Sequence, residues 1–252
     1  MKINIITLFP ELIRGYLSDA LLSKAITQNK FEIKITSLRD SAEGNYKSVD
    51  EVPFGGGDGM VIRAAVLEKA IGESANKKII YLSPQGKPWT HQAALELAKS
   101  SDEIILICGR YAGIDQRFIE KYVDEEISIG DYVLSGGELA ALVVVESVSR
   151  FIPGVLGDRQ SVVEDSFAAG LLEAPQFTRP QNWNEMHVPE VLTSGNHQKI
   201  SEWKKMCGYL VTLKKRPDLL TNMQIDSKKI KEFYNQLSAA DKKTLGIEGL
   251  SV

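Results

Sequence analysis

The chain has 252 residues, of which 43% are hydrophobic and 25% are charged, the composition of an ordinary globular protein. The length suits one large domain, or a main domain with a smaller one. The net charge of −3 argues against nucleic-acid binding by the whole chain, and the two cysteines argue against a structural disulfide or a cysteine zinc site. The first residues read as a strand rather than a signal peptide, and the longest apolar run, 139–145, is too short to span a bilayer. We therefore expect a cytoplasmic protein with no membrane partner.

Alternating strand and helix patterns run through the first half of the chain. Strands rich in Ile, Val, Leu and Phe are predicted at 2–9, 31–38, 78–83, 103–108 and 124–129. Helices are predicted at 11–28, 62–73, 90–100 and 114–122, with Thr90 as a cap of the third. This order predicts an α/β fold with a mainly parallel sheet and helices on both of its faces.

A further helix is predicted from 137 to 151, and it is apolar on all sides. Such a helix belongs in a core or at a subunit interface. Ser135 and Glu138 before it have the spacing of a capping box, which predicts that Ser135 caps the helix.

Regular patterns weaken after Pro153 and return at Ser194. Residues 160–175 read as a linker, or as a loop that orders on binding. Asn196, Ser227 and Ser238 are candidate caps of three later helices, and Pro217 interrupts the first of them. The pattern predicts a small helical domain. Residues 201–252 hold 10 basic and 6 acidic residues, which suits a polyanionic partner, although the charge alone favours a solvated helical surface.

Glycine-bearing loops follow three of the predicted strands, at 83–86, 109–113 and 129–137. Loops at the carboxyl ends of parallel strands meet at one edge of the sheet, so we expect one small-molecule site made largely of backbone. The segment 54–60 is richer still in glycine, but it matches neither a P-loop nor a dinucleotide fingerprint. It is either a flexible surface loop or a place of close approach to a ligand.

Single residues give weaker signals. Asp165 lies in the weakly patterned stretch, where most carboxylates are simply solvated. Arg150 follows Glu146 by four residues, which predicts a helical ion pair. The three histidines lack metal-ligand spacing. Trp203, beside two lysines, suits either nucleic-acid stacking or core packing.

Eight segments in the same order resemble the bacterial tRNA (guanine-N1)-methyltransferases of the TrmD family, in the SPOUT class, over nearly the whole chain. They are IITLFP (5–10), PFGGG (53–57), SPQG (83–86), CGRY (108–111), IGDYVL (129–134), SRFIPG (149–154), EDSF (164–167) and SGNH (194–197). The resemblance implies a deep trefoil knot in the sheet and an obligate homodimer. It also implies a knotted S-adenosylmethionine-binding domain at 1–160, a linker at 161–175 and a helical tRNA-binding domain at 176–252.

The resemblance also implies a set of site residues. The donor S-adenosylmethionine would bind Tyr81, Pro84, Gly109, Tyr111, Ile129, Gly130, Asp131, Tyr132, Val133, Leu134, Gly136 and Gly137. The tRNA would contact Gly55, Gly56, Gly57, Gly59, Ser166, Asn196 and His197. Asp165 would remove the N1 proton of the guanosine just 3′ of the anticodon, where another guanosine precedes it, and Arg150 would stabilise charge on O6.

Two positions depart from the family pattern. Ala112 stands where the family has a glutamate that is connected with its magnesium requirement, and Glu173 is a milder change at an acidic position of the linker. Mg2+ is therefore expected from the family alone, with no ligand set. The alternative reading is a knotted dimer that binds tRNA or the cofactor with impaired or no turnover. A methyltransferase that acts on another RNA is a third reading, which the helical tail argues against.

Overall fold

The structure is a computed structural model that describes residues 1–44, 46–73, 76–100, 103–157, 165–221, 223–224 and 226–252. The chain divides into two compact units, 1–157 and 158–252.

The first unit is built on one parallel sheet with the strand order β2-β1-β6-β5-β7. The five strands are β1 (Lys2–Thr7), β2 (Glu32–Ser37), β5 (Lys77–Pro88), β6 (Glu103–Cys108) and β7 (Glu125–Ser128). The central pairings are in regular register, for example Ile3 with Ile104 and Ile79 with Ile105. The predicted α/β class and mainly parallel sheet are confirmed. A small antiparallel pair, β3 (Asp50–Glu51) and β4 (Val61–Ile62), carries the glycine-rich segment between its strands.

Helices cover both faces of this sheet. They are α1 (Pro10–Leu17), α2 (Ala20–Thr27), α3 (Leu38–Ser41), α4 (Ala64–Ile71), α5 (His91–Lys99), α6 (Gln116–Tyr122) and α7 (Glu138–Ser149). Alternate residues of the strands point to opposite faces, so that Ile104 and Leu106 enter one core and Ile105 and Ile107 the other. The first core includes residues of α1, α2, α5 and α7, and the second includes residues of α3, α4 and α6.

Two local predictions in this unit differ from the structure, and a third is confirmed. The single helix predicted at 11–28 is two helices, which are separated by Ser18 and Asp19, and the Asp19 side chain caps the second. The predicted loop 83–86 is a bulge inside β5, since Leu82 and Lys87 both pair with Ile127. Thr90 does cap α5, accepting a bond from the Ala93 amide at 3.2 Å.

The second unit is mainly helical. It contains α8 (Glu190–Thr193), α9 (His197–Lys215), a 3-10 turn (Pro217–Leu220), α10 (Ser227–Gln236) and α11 (Ala239–Thr244). A two-stranded hairpin, β8 (Asn182–Trp183) and β9 (Met186–His187), was not predicted. Asn196 and Ser238 are caps as predicted, whereas the cap of α10 is Asp226 rather than Ser227.

Trp203 and Cys207 of α9 are buried in the core of the second unit, with Leu210 and Ile230. The core-packing reading of Trp203 is therefore the right one. The predicted linker, 161–175, lies partly outside the described residues. Its described part packs on the same core, since Ala174 is buried there. In the part of the chain that the structure describes, no helix is long and apolar enough to cross a membrane.

Candidate active site

A cavity of about 270 Å³ lies at the carboxyl end of the sheet of the first unit. It is lined by residues of all three glycine-bearing segments that the sequence singled out. Eleven of the twelve residues predicted to bind the donor line it, namely Tyr81, Pro84, Gly109, Tyr111, Ile129, Gly130, Tyr132, Val133, Leu134, Gly136 and Gly137. Asp131 is the exception; it is exposed and is not among the lining residues.

The third segment, 129–137, brings the chain from the edge strand β7 back to the end of the central strand β6. The Gly137 amide donates to the Gly109 carbonyl at 2.9 Å, and Arg110 pairs with Gly136 as an antiparallel bridge. These bonds join the second and third segments into one wall of the cavity.

Glycine at 109 and 137 is required by close packing. A Cβ atom at Gly137 would lie 2.8 Å from the Cys108 Cα atom, and one at Gly109 would lie 2.8 Å from the Tyr81 hydroxyl oxygen. The absence of side chains leaves peptide groups of these segments next to the cavity. Such a wall can hold a ligand through main-chain hydrogen bonds.

The Arg110 and Glu138 side chains form a buried network behind this wall. Arg110 Nη2 lies 2.9 Å from Glu138 Oε2, and Arg110 Nη1 donates to the Ser135 carbonyl at 3.2 Å. Glu138 Oε1 also accepts a hydrogen bond from the Thr7 hydroxyl at 2.7 Å. The predicted capping box is therefore wrong, because Gly137 is the N-cap of α7. The carboxylate of Glu138 accepts hydrogen bonds from Arg110 and Thr7 instead.

The sequence patterns did not predict that the network of Arg110, Glu138 and Thr7 forms part of the site. Its signal in the sequence was an arginine beside a glycine in the second loop and an acidic residue at the start of an otherwise apolar helix. A charged residue there needs a buried partner, because an unpaired carboxylate in a core is strongly unfavourable.

One residue that lines the cavity, Tyr81, has a strongly raised pKa. Burial raises the pKa of Tyr81 to about 12, and the nearby Glu126 adds to the effect. Its phenol stays protonated at neutral pH and can donate a hydrogen bond.

Burial also raises the pKa of the Cys108 thiol well above its usual range, with Glu138 adding to the shift. Cys108 is a free, buried cysteine, and such a thiol is unreactive.

The glycine-rich segment 54–60 stands next to the second loop. The Ala112 amide donates to the Met60 carbonyl at 2.9 Å, and a Cβ atom at Gly59 would lie 3.5 Å from the Ala112 Cβ atom. Gly55, Gly56, Gly57 and Gly59 all have positive φ angles, and all are exposed. The predicted substrate loop therefore borders the cavity through Ala112.

The remaining predicted residues fall in different units. Arg150 lies in the first unit, half-buried at the end of α7. Asp165, Ser166, Asn196 and His197 belong to the second unit. Asn196 Oδ1 is used as a helix cap, accepting from the Lys199 amide at 3.1 Å, and His197 is exposed at the first turn of α9.

Asp165 lines a cleft of about 400 Å³ in the second unit, together with Ser201, Lys204, Lys205 and Gly208 of α9. Among the residues that the structure describes, no three His, Cys, Asp or Glu side chains are grouped to hold a metal ion. Ala112 contributes no ligand atom of its own at the cavity.

Comparison with known proteins assigns the chain to a family. The model of a family described as tRNA (Guanine-1)-methyltransferase TrmD matches residues 1–222. A tRNA (guanine-N(1)-)-methyltransferase of Buchnera aphidicola subsp. Schizaphis graminum is 49% identical over 95% of this chain and 92% of its own length. The protein of the same name in Syntrophomonas wolfei is 48% identical over 90% of this chain and 93% of its own length. The one in Dechloromonas aromatica is 46% identical over 88% of this chain and 91% of its own length. The chain thus belongs to the TrmD family of tRNA (guanine-1)-methyltransferases.

Proposed function

We propose that this protein transfers a methyl group from S-adenosylmethionine to N1 of the guanosine 3′ of the anticodon, in tRNAs where a guanosine precedes it. The observation that carries the proposal is the backbone-walled cavity at the end of the parallel sheet, in a chain of the TrmD family. A tRNA-modifying enzyme of this kind works in the cytoplasm.

The cavity suits the methyl donor for a physical reason. Backbone N–H and C=O groups of the third segment, 129–136, lie next to the cavity, where they can pair with the edge of an adenine ring. Ile129, Val133 and Leu134 can cover the faces of the ring, and the protonated Tyr81 hydroxyl is a further donor. When bound, the donor supplies an electrophilic methyl group on a sulfonium centre.

The acceptor needs a base. N1 of guanine carries a proton at neutral pH, so its lone pair is not free to attack until that proton leaves. In this proposal an oxygen of the Asp165 carboxylate takes the N1 proton while the N1–methyl bond forms and the sulfur–methyl bond breaks. Electron density moves toward guanine O6, and the Arg150 guanidinium stabilises it there.

We further propose a homodimer in which the first unit of one chain and the second unit of its partner complete each active site. An exposed apolar patch on the first unit supports a subunit interface: Leu12 and Tyr16 on α1, and Leu139 and Val143 on α7. Leu139 is 60% and Leu12 is 55% exposed, while the opposite side of α7 is packed in the core. This pattern also explains why α7 is apolar on all sides.

The domain roles follow from this arrangement. Residues 1–160 would form the knotted donor-binding domain, 161–175 the linker and 176–252 the tRNA-binding domain. Dependence on Mg2+ is proposed from the family alone, because the described residues offer no cluster of ligands. No step above uses a metal ion.

Subunit complementation tests the shared site. Asp165→Ala disables the base, and Gly137→Ala, whose Cβ atom would meet the Cys108 Cα atom at 2.8 Å, disrupts the wall of the donor cavity, so each homodimer should be inactive. Co-expressed with two different tags and purified as the heterodimer, the pair should regain about half of the wild-type rate, since one of its two sites is intact. A heterodimer as inactive as its parents would show that the base and the cavity act within one chain.

The alternative function is a binding module without turnover, and Ala112 motivates it. The wild-type protein, incubated with unmodified tRNA and labelled donor, separates the two. Label on guanine N1 supports the enzyme, whereas tight donor binding without transfer supports the module.

A further inference from the structure

A compact strap, residues 165–174, carries Asp165 in the second unit. Three backbone bonds fold it: Ala168 donates to Asp165, Gly170 to Phe167, and Phe167 to Leu171 at 2.6 Å. The Glu173 amide donates to the Ser166 hydroxyl oxygen at 3.1 Å, which ties the end of the strap to the residue next to Asp165. Phe167 has a φ angle of 75°, which a side-chain-bearing residue keeps only where its surroundings hold it.

Thr212 of α9 anchors this strap. Its hydroxyl accepts a hydrogen bond from the Leu172 amide at 2.8 Å and donates to the Gly208 carbonyl at 2.7 Å. Thr212 is completely buried, so water cannot replace either bond. One buried hydroxyl therefore fixes the C-terminal part of the strap to the helix.

Gly208 allows the strap to come this close. A Cβ atom there would lie 2.7 Å from the Leu172 carbonyl oxygen, a backbone atom that cannot turn aside. Glycine is unfavourable inside a helix, and this contact gives its physical reason.

We propose that Thr212 and Gly208 are positioning residues, which hold Asp165 at the edge of the cleft beside α9 so that its carboxylate meets the N1 proton of the target guanine. The inference rests on the proposed function. The path is short: Thr212 holds Leu172, the adjacent Glu173 holds Ser166, and Ser166 adjoins Asp165. A base displaced by about 1 Å can lose roughly a hundred-fold in rate without any loss of ligand affinity.

The test compares Thr212→Val with Thr212→Ser. Valine keeps the shape and removes both hydrogen bonds, whereas serine keeps the hydroxyl. We expect Thr212→Val to lower the single-turnover rate of methyl transfer about ten- to a hundred-fold, at saturating donor and tRNA. The dissociation constants of both ligands should change less than two-fold, and Thr212→Ser should recover most of the rate. Gly208→Ala should act like Thr212→Val, although this change stabilises an ordinary helix.

Cys207→Ala is the matched control, because it shortens a buried side chain of the same helix that takes no part in the hydrogen bonds of Thr212. It should lower the melting temperature and leave the transfer rate of the folded protein unchanged. Amide exchange at Leu172 should be faster in Thr212→Val and unchanged in Thr212→Ser.

Two results would overturn the inference while the proposed function stands. One is a Thr212→Val protein that transfers as fast as wild type. The other is a loss of rate that Cys207→Ala shares in proportion to its loss of stability. A wild-type protein that transfers no methyl group to tRNA would remove the proposed function, and this inference with it.

Discussion

Arg110 and Glu138 form a buried ion pair that links the second and third loops of the candidate donor site. The Glu138 side chain is 3% exposed and that of Arg110 is 17% exposed. The Arg110 guanidinium also lies 4.4 Å from the centre of the Phe9 ring, so one cation joins the start of α1, both loops and α7. The shape of the cavity wall depends on this pair.

Glu138→Gln should therefore weaken both the fold and the donor site. Removing one charge from a buried pair leaves the other uncompensated, so we expect the free energy of unfolding to fall by about 3 kcal/mol. Affinity for S-adenosylmethionine should fall about ten-fold, which corresponds to roughly 1.4 kcal/mol. Urea unfolding and titration calorimetry measure the two effects. Glu96→Gln, at an exposed residue of α5, is the control and should change neither. Unchanged donor affinity in Glu138→Gln would show that the Arg110–Glu138 ion pair does not support the donor site.

Asp165→Ala should keep the affinity for the donor and lose most turnover. A general base typically contributes about 10²- to 10⁴-fold to the rate, so a loss in that range is expected in single-turnover assays. Glu173→Gln changes another carboxylate of the same cleft and is the matched control. Near-normal transfer by Asp165→Ala, or an equal loss in Glu173→Gln, would remove Asp165 as the base.

Tyr81 should make the protein less stable at alkaline pH. Its pKa is about 12 in the folded protein and about 10 in the unfolded chain, so between these values the unfolded chain loses a proton that the folded protein keeps. The free energy of unfolding should therefore fall as the pH rises from about 10 to 12, by up to roughly 3 kcal/mol from this residue. Tyr81→Phe should show a smaller fall over the same range in urea titrations. If the free energy of unfolding fell equally with pH in wild type and Tyr81→Phe, Tyr81 would not be the residue responsible.

Leu139→Glu should convert a dimer into a monomer. A carboxylate in the middle of an apolar interface loses its hydration without gaining a partner, so the interface should open. Sedimentation velocity would show the change in mass, and methyl transfer should disappear if, as proposed, each site is completed by both chains. Lys99→Glu, at the end of α5, gives the same new side chain away from the patch and should remain dimeric and active. A monomeric wild-type protein with full turnover would refute the shared site.

Much of the site was predictable from the sequence, because glycine-bearing loops after parallel strands must meet at one edge of the sheet. The length of β5 was not predictable in this way. The bulge at 83–86 lets Leu82 and Lys87 share Ile127 as a partner, and such pairing is a property of two strands rather than one.

The other differences between prediction and structure arise from the hydrogen-bond partners that side chains find in the folded protein. Glu138 had the spacing of a capping residue, but the buried Arg110 and Thr7 are stronger partners than an exposed backbone amide. Asp226 rather than Ser227 caps α10, which is a shift of one residue between two good capping types. The anchoring of the strap by Thr212 joins residues 40 positions apart, so no local pattern could have indicated it.

The most direct test of the whole account is methyl transfer itself. Unmodified tRNA transcripts that carry two guanosines, the last of the anticodon and the next nucleotide, would be incubated with the protein and S-adenosylmethionine, and the nucleosides analysed by mass spectrometry. The account predicts 1-methylguanosine at the position just 3′ of the anticodon, and little or none when the preceding guanosine is replaced. Donor binding without any methylated guanosine, or a methyl group on another base, would contradict it.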